Sequence, residues 1–264
     1  MLTERVQISA EGAEIDAYLA VPDGPGPWPA LIVIHEIWGL VPHIEDVSRR
    51  FADAGYAALS PDLYSRGGTP VTPDEIGRAM AFMQTVPVEK RADAEAVGRR
   101  VAELPAGERD VVRRALAWLQ TRDLGQNVAD LRATLNWLAA QPFVDPRRIC
   151  SLGFCMGGGL SGRLASSGAA LAGCLVFYGE HPPADEIATI RCPMLGLYGG
   201  EDHRITDGVP ELARAMAAAG KRFEYHVYEG APHAFFNDTR EATYRPEAAR
   251  DAWARVLAFL AAAS

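Results

Sequence analysis

Cys155 stands in the run Gly153-Phe154-Cys155-Met156-Gly157-Gly158. A strand-like stretch ends near Leu152 and a helical one begins with Met156. That context is a nucleophile elbow, with sulfur where a serine oxygen usually stands. The turn is strained, and side chains beside the nucleophile would collide with neighbouring backbone, which glycines avoid. The helix start behind the sulfur also favours negative charge. Taken alone, the string reads equally as a buried cysteine in a glycine-rich turn. Two more residues argue for chemistry. Asp202 lies in Gly199-Gly200-Glu201-Asp202-His203, beyond a strand at 193–198. His233 lies in Gly230-Ala231-Pro232-His233-Ala234-Phe235, beyond a strand at 223–228. All three residues follow the carboxyl ends of strands, where open α/β sheets place their ligands. A histidine serving a nucleophile needs an acid on one ring nitrogen to fix its tautomer. Asp202 fills that role, with Glu201 as the rival acid. Glu201, Asp202 and His203 are also metal-ligand types, but three adjacent residues after a strand rarely converge on one ion, so no metal is expected.

A fourth residue is Glu36, in His35-Glu36-Ile37-Trp38-Gly39, directly after an apolar strand at 30–34. Acyl transfer at an elbow takes one oxyanion donor from the residue after the nucleophile and another from such a loop. The backbone N–H groups of Ile37 and Met156 are therefore the expected donors. Glu36 itself reads either as part of the chemistry or as a solvated loop acid.

These positions require a framework. Residues 6–9 and 15–20 alternate like two strands turned around Glu11-Gly12. The run Ala30-Leu31-Ile32-Val33-Ile34 is apolar throughout, as in a parallel strand buried on both faces. A helix is expected over about 43–54, closed by Gly55, and further strands at 56–59, 148–152, 171–178, 193–198 and 223–228. A C-terminal helix starts at Pro246 and places Ala249, Trp253, Val256, Leu257 and Leu260 on one face. Strands alternating with helices predict a mostly parallel sheet covered on both sides. From 65 to 126 only helical signals occur: an N-cap at Thr72-Pro73-Asp74-Glu75, then charged helical stretches at 88–104 and 108–121. This exceeds what a crossover requires and reads as a helical insertion or cap within a single domain spanning 1–264.

Composition sets the outer bounds. The 264 residues are 48% hydrophobic and 23% charged, values of a globular chain rather than a disordered one. A net charge of −8 without a basic block argues against a nucleic-acid partner. No apolar run reaches the roughly 18 residues of a membrane helix. The N-terminus lacks the apolar core of a signal peptide, so a cytoplasmic location is expected. Cys150, Cys155, Cys174 and Cys192 show neither CxxC pairs nor zinc-ligand spacing and are expected as thiols.

Together these residues resemble the dienelactone hydrolases, or carboxymethylenebutenolidases. The resemblance rests on Glu36-Ile37-Trp38-Gly39, Tyr56-Ala57-Ala58 with Pro61-Asp62-Leu63-Tyr64, the Cys155 elbow, Gly200-Glu201-Asp202 and His233-Ala234-Phe235. It implies an α/β-hydrolase fold, a mostly parallel central sheet with helices on both faces and a helical insertion. It also implies a triad of Cys155, Asp202 and His233, with Glu36 accepting the thiol proton once substrate is bound. The implied reaction is hydrolysis of a small, dienelactone-like lactone or ester through a cysteine thioester, with no cofactor. A general carboxylesterase, a thiol-sensing or binding domain without catalysis, and a peptidase on the same scaffold are the rival readings. Members that hydrolyse dienelactone bind its carboxylate with two arginines, and one of those positions holds Asn237 here. Arg240 is the next arginine, while Arg66, Arg78 and Arg91 are candidates for the second. Trp38 and Tyr64 complete the candidate substrate contacts. The sequence does not give the oligomeric state.

Overall fold

The apolar run at 30–34 is wholly enclosed, each of its five side chains 0–1% exposed. It lies in one of eight strands of a single sheet in a computed structural model describing residues 1–68, 70–87, 90–91, 93–121 and 123–263. In chain order the elements begin with β1 (Leu2–Ala10), β2 (Ala13–Val21), β3 (Trp28–Ile34), α1 (Pro42–Asp53) and β4 (Ala57–Pro61). Three helices follow, α2 (Pro73–Thr85), α3 (Ala94–Ala102) and α4 (Ala106–Leu119). Then come α5 (Leu124–Ala139), β5 (Val144–Phe154), α6 (Met156–Ser166), β6 (Gly173–Phe177) and β7 (Met194–Gly199). The chain closes with α7 (His203–Thr206), α8 (Val209–Ala218), β8 (Phe223–Tyr228) and α9 (Pro246–Ala263). The sheet order is β1-β2-β4-β3-β5-β6-β7-β8, antiparallel for the first two pairings and parallel thereafter. The fold is that of the α/β-hydrolases.

Hydrophobic cores lie on the two faces of the sheet. Ile32, Ile34, Leu131, Leu135, Leu160 and Val176 belong to one. Leu31, Val33, Val47, Phe51, Leu152, Val256 and Leu260 belong to the other. Alternate residues of β3 thus face opposite cores, as the strand period of two requires. Helix α1 presents Ile44, Val47 and Phe51 inward at helical spacing, and Gly55 stops it at φ +92°. The expected strands are all present, with shifted ends. Both β1 and β5 begin four residues early, β5 at Val144, and β5 carries Pro146 where its pairing with β3 is irregular.

The chain divides into two compact units, one of Met1–Leu63 with Leu124–Ser264 and one of Tyr64–Asp123. The smaller unit has its own core of Phe82, Val86, Val101 and Val112. Its α2 begins at the N-cap anticipated at Thr72, which with Glu75 forms a full capping box. The helical stretch expected at 88–104 contains α3, but Val88 and Glu89 at its start lie outside the described residues. Among the described residues, no helix is long and apolar enough to cross a membrane.

Candidate active site

The parallel register determines which residues meet at the carboxyl edge of the sheet. Ile34 pairs with Gly153 and Phe154 with Phe177. The residues just beyond those strand ends, Glu36, Cys155 and Tyr178, therefore stand side by side. Cys155 adopts φ 55°, ψ −116°, outside the relaxed regions for a residue with a Cβ. Its N–H donates to the Phe177 carbonyl oxygen at 3.0 Å, and its own carbonyl accepts from Gly159 at 3.2 Å. Met156 then opens α6, while Ile37 lies in the turn after β3.

The glycines make this turn possible. A Cβ on Gly157 would stand 2.3 Å from the Ile34 oxygen and 2.6 Å from the His35 oxygen, both backbone atoms that cannot yield. We expect Gly157→Ala to cost about 3 kcal/mol or more. That lowers Tm by roughly 6–12 °C in a chain of this size, readable by thermal unfolding. An unchanged Tm would show that α6 does not approach β3 so closely.

His233 Nδ1 lies 2.5 Å from Asp202 Oδ2. Asp202 is buried, and its loop is locked to the His233 loop by backbone bonds from Gly200 to Tyr228 and from Glu201 to Ala231. The rival acid Glu201 is exposed, and His203 turns to Asp207 at 3.2 Å. Asp202 is the acid on the histidine. Burial disfavours the His233 imidazolium, but negative charge at Cys155 and the Asp202 hydrogen bond outweigh it and raise its pKa to about 10. Among the described residues, no group of three or more His, Cys, Asp or Glu side chains could hold a metal ion.

Glu36 is 1% exposed, so it is not a solvated loop acid. Its Oε2 accepts from Asn237 Nδ2 and from the Arg240 guanidinium, both at 3.0 Å. Among the described residues, its Oε1 has no hydrogen-bond partner. Arg240 also lies over the Trp38 ring, 5.7 Å from the centroid. His35 fixes the turn from below: its Nδ1 bonds the Glu36 carbonyl at 2.6 Å and its Nε2 accepts from Leu63 N–H at 3.1 Å. That pattern is the neutral tautomer, and burial pushes the His35 pKa down accordingly.

Of the remaining expected substrate contacts, Tyr64, Arg66 and Arg78 lie in the smaller unit. There Tyr64 packs on Trp118, ring centroids 4.7 Å apart, and Arg78 is ion-paired with Glu108. Arg91 donates to the Val86 and Gln84 carbonyls. Tyr178 and the polar contacts of Asn237 stand beside these residues without having been marked by type or spacing. The available signal for Tyr178 was its place directly after the strand beside the elbow. The signal for Asn237 was its place just beyond the histidine.

The pattern of the dienelactone hydrolase family matches residues 15–264. A protein of Saccharolobus solfataricus, named a candidate carboxymethylenebutenolidase, is 40% identical over 260 residues, covering 98% of both chains. A Methylorubrum extorquens protein of the same name is 31% identical, covering 97% of this chain and 79% of its own. A Klebsiella pneumoniae crystal structure, described as a candidate dienelactone hydrolase, shares 31% identity with a TM-score of 0.74 and covers 98% of both chains. With the pattern matched from β2 to the C-terminus and relatives alike across their length, the chain belongs to the dienelactone hydrolase family.

Proposed function

We propose that this chain hydrolyses a small carboxylic ester or lactone through a thioester on Cys155. The observation that carries the reading is the 2.5 Å Asp202–His233 pair. It is joined by a strained cysteine at the head of α6. His233 enters the cycle holding a proton through its bond to Asp202; the thiol proton passes to Glu36, whose Oε1 is unused among the described residues, and the thiolate so formed then holds the imidazolium more tightly. The thiolate attacks the carbonyl carbon while the Ile37 and Met156 N–H groups hold the developing oxyanion. Collapse breaks the bond to the leaving oxygen, which takes the His233 proton. The thioester carries no charge on sulfur, which removes the strongest influence holding the His233 pKa up. Neutral His233 then accepts a proton from water, and the hydroxide attacks the thioester. The expelled thiolate recovers its proton from Glu36.

A lactone bearing a carboxylate is the leading substrate class, with neutral carboxylic esters second. The anion would compete with Glu36 for Arg240, the half-buried cation beside Trp38. Assay of dienelactone beside p-nitrophenyl acetate tests the reading, and failure to turn over either overturns it. Arg240→Lys keeps a charge for Glu36 but loses the planar fork. It should raise KM for the anionic lactone about tenfold and change the neutral ester less than twofold. Equal effects on both would favour a general carboxylesterase.

A further inference from the structure

Among the described residues, the buried Glu36 Oε1 and Tyr178 hydroxyl beside the nucleophile lack hydrogen-bond partners, and they are complementary. Glu36 Oε1 is an acceptor, and the Tyr178 hydroxyl is a donor. Natural interiors rarely leave such groups unpaired without a use. Tyr178 is fully buried and its backbone is strained at φ +38°, an outlier for so bulky a residue. Its N–H donates to the Leu197 oxygen at 2.8 Å. Its ring is enclosed by His233 at 5.0 Å, Phe235 at 5.5 Å, Phe177 at 6.0 Å and Phe154 at 6.2 Å. The phenol is therefore a fixed donor. Glu36 is anchored through one oxygen only and has three rotatable bonds, so the carboxylate is the partner that moves.

His43, another side chain without a hydrogen-bond partner among the described residues, has its Nδ1 3.5 Å from Asp238 Oδ1, so an acceptor already faces it. Tyr178 instead follows the residue whose carbonyl receives the Cys155 N–H. Burial, then the charges of Glu36 and Cys155, push the phenol pKa well above its usual value, so it keeps its proton.

We propose that Tyr178 is a positioning residue for Glu36: its O–H bonds Oε1 when the carboxylate turns from Arg240 and Asn237 toward Cys155, and holds it there to receive the thiol proton. This rests on Glu36 being the proton acceptor. The strained φ at Tyr178 aims the donor, and the apolar rings keep water from replacing it.

The test is the rate of Cys155 alkylation by iodoacetamide against pH, in wild type, Tyr178→Phe, Glu36→Gln and the double variant. Tyr178→Phe should label about tenfold more slowly at pH 7, the scale of one hydrogen bond to a charged group. Its Tm should hold or rise, because an unpaired buried hydroxyl has been removed. The double variant should label no more slowly than Glu36→Gln alone. Normal labelling of Tyr178→Phe with slowed Glu36→Gln overturns the inference and leaves the role of Glu36 standing. Additive slowing overturns it too, because Tyr178 would then act independently of Glu36. Normal labelling of both single variants removes Glu36 as acceptor, and the inference with it.

Discussion

Replacing Cys155 by alanine should lower kcat/KM for ester hydrolysis by about 10⁴-fold or more, the scale seen when a nucleophile is removed from a catalytic constellation. The fold should survive, because the side chain is only partly buried and the strained turn is set by backbone contacts. No other thiol can substitute. Cys150, Cys174 and Cys192 are buried. Burial pushes their pKa values up to about 12, 11 and 12. Cys155→Ser should also be badly impaired, since a hydroxyl gives up its proton far less readily than a thiol. Steady-state kinetics with a parallel melting curve reads both results. Activity within tenfold of wild type at unchanged Tm would remove Cys155 from the chemistry.

Asp202→Asn should lower kcat by about 10³–10⁴-fold, because an amide on Nδ1 no longer fixes the tautomer or stabilises the imidazolium. The variant should also change the pH dependence of stability. His233 has a folded pKa of about 10 against 6.5 for the ordinary group. A raised folded pKa means the folded state binds the proton more tightly. Its stabilising contribution is complete below pH 6.5 and is lost as pH rises toward 10. Urea unfolding of the wild type should weaken across that window, and Asp202→Asn should show a shallower decline. Equal slopes would mean that Asp202 does not hold the His233 proton.

The readable parts of this site are those where local geometry dictates residue type. Gly153 and Gly157 stand where any Cβ would strike backbone, so the elbow is written in the sequence. Cys155, Asp202 and His233 follow strand ends whose apolar runs are legible one by one. The position of Glu36 was visible for the same reason, but its surroundings were not. Asn237 and Arg240 reach it from 201 and 204 residues away, a pairing that only the assembled sheet creates. Tyr178 left little local trace, because a tyrosine after a strand is ordinary until its φ and its unpaired hydroxyl are known. Strand ends moved by a few residues, as in β5, where pairing with β3 carried the strand through Pro146 despite the proline.

The proposed reaction requires a covalent acyl group on one sulfur. Wild-type protein mixed with an activated ester, quenched in acid within the first turnovers and digested should show the acyl mass on the peptide containing Cys155. The adduct should be removed by neutral hydroxylamine, as a thioester is. The adduct should decay at the rate of turnover and be missing from Cys155→Ala. Turnover proceeding with no acyl mass on Cys155, or with the adduct on another residue, would contradict the account.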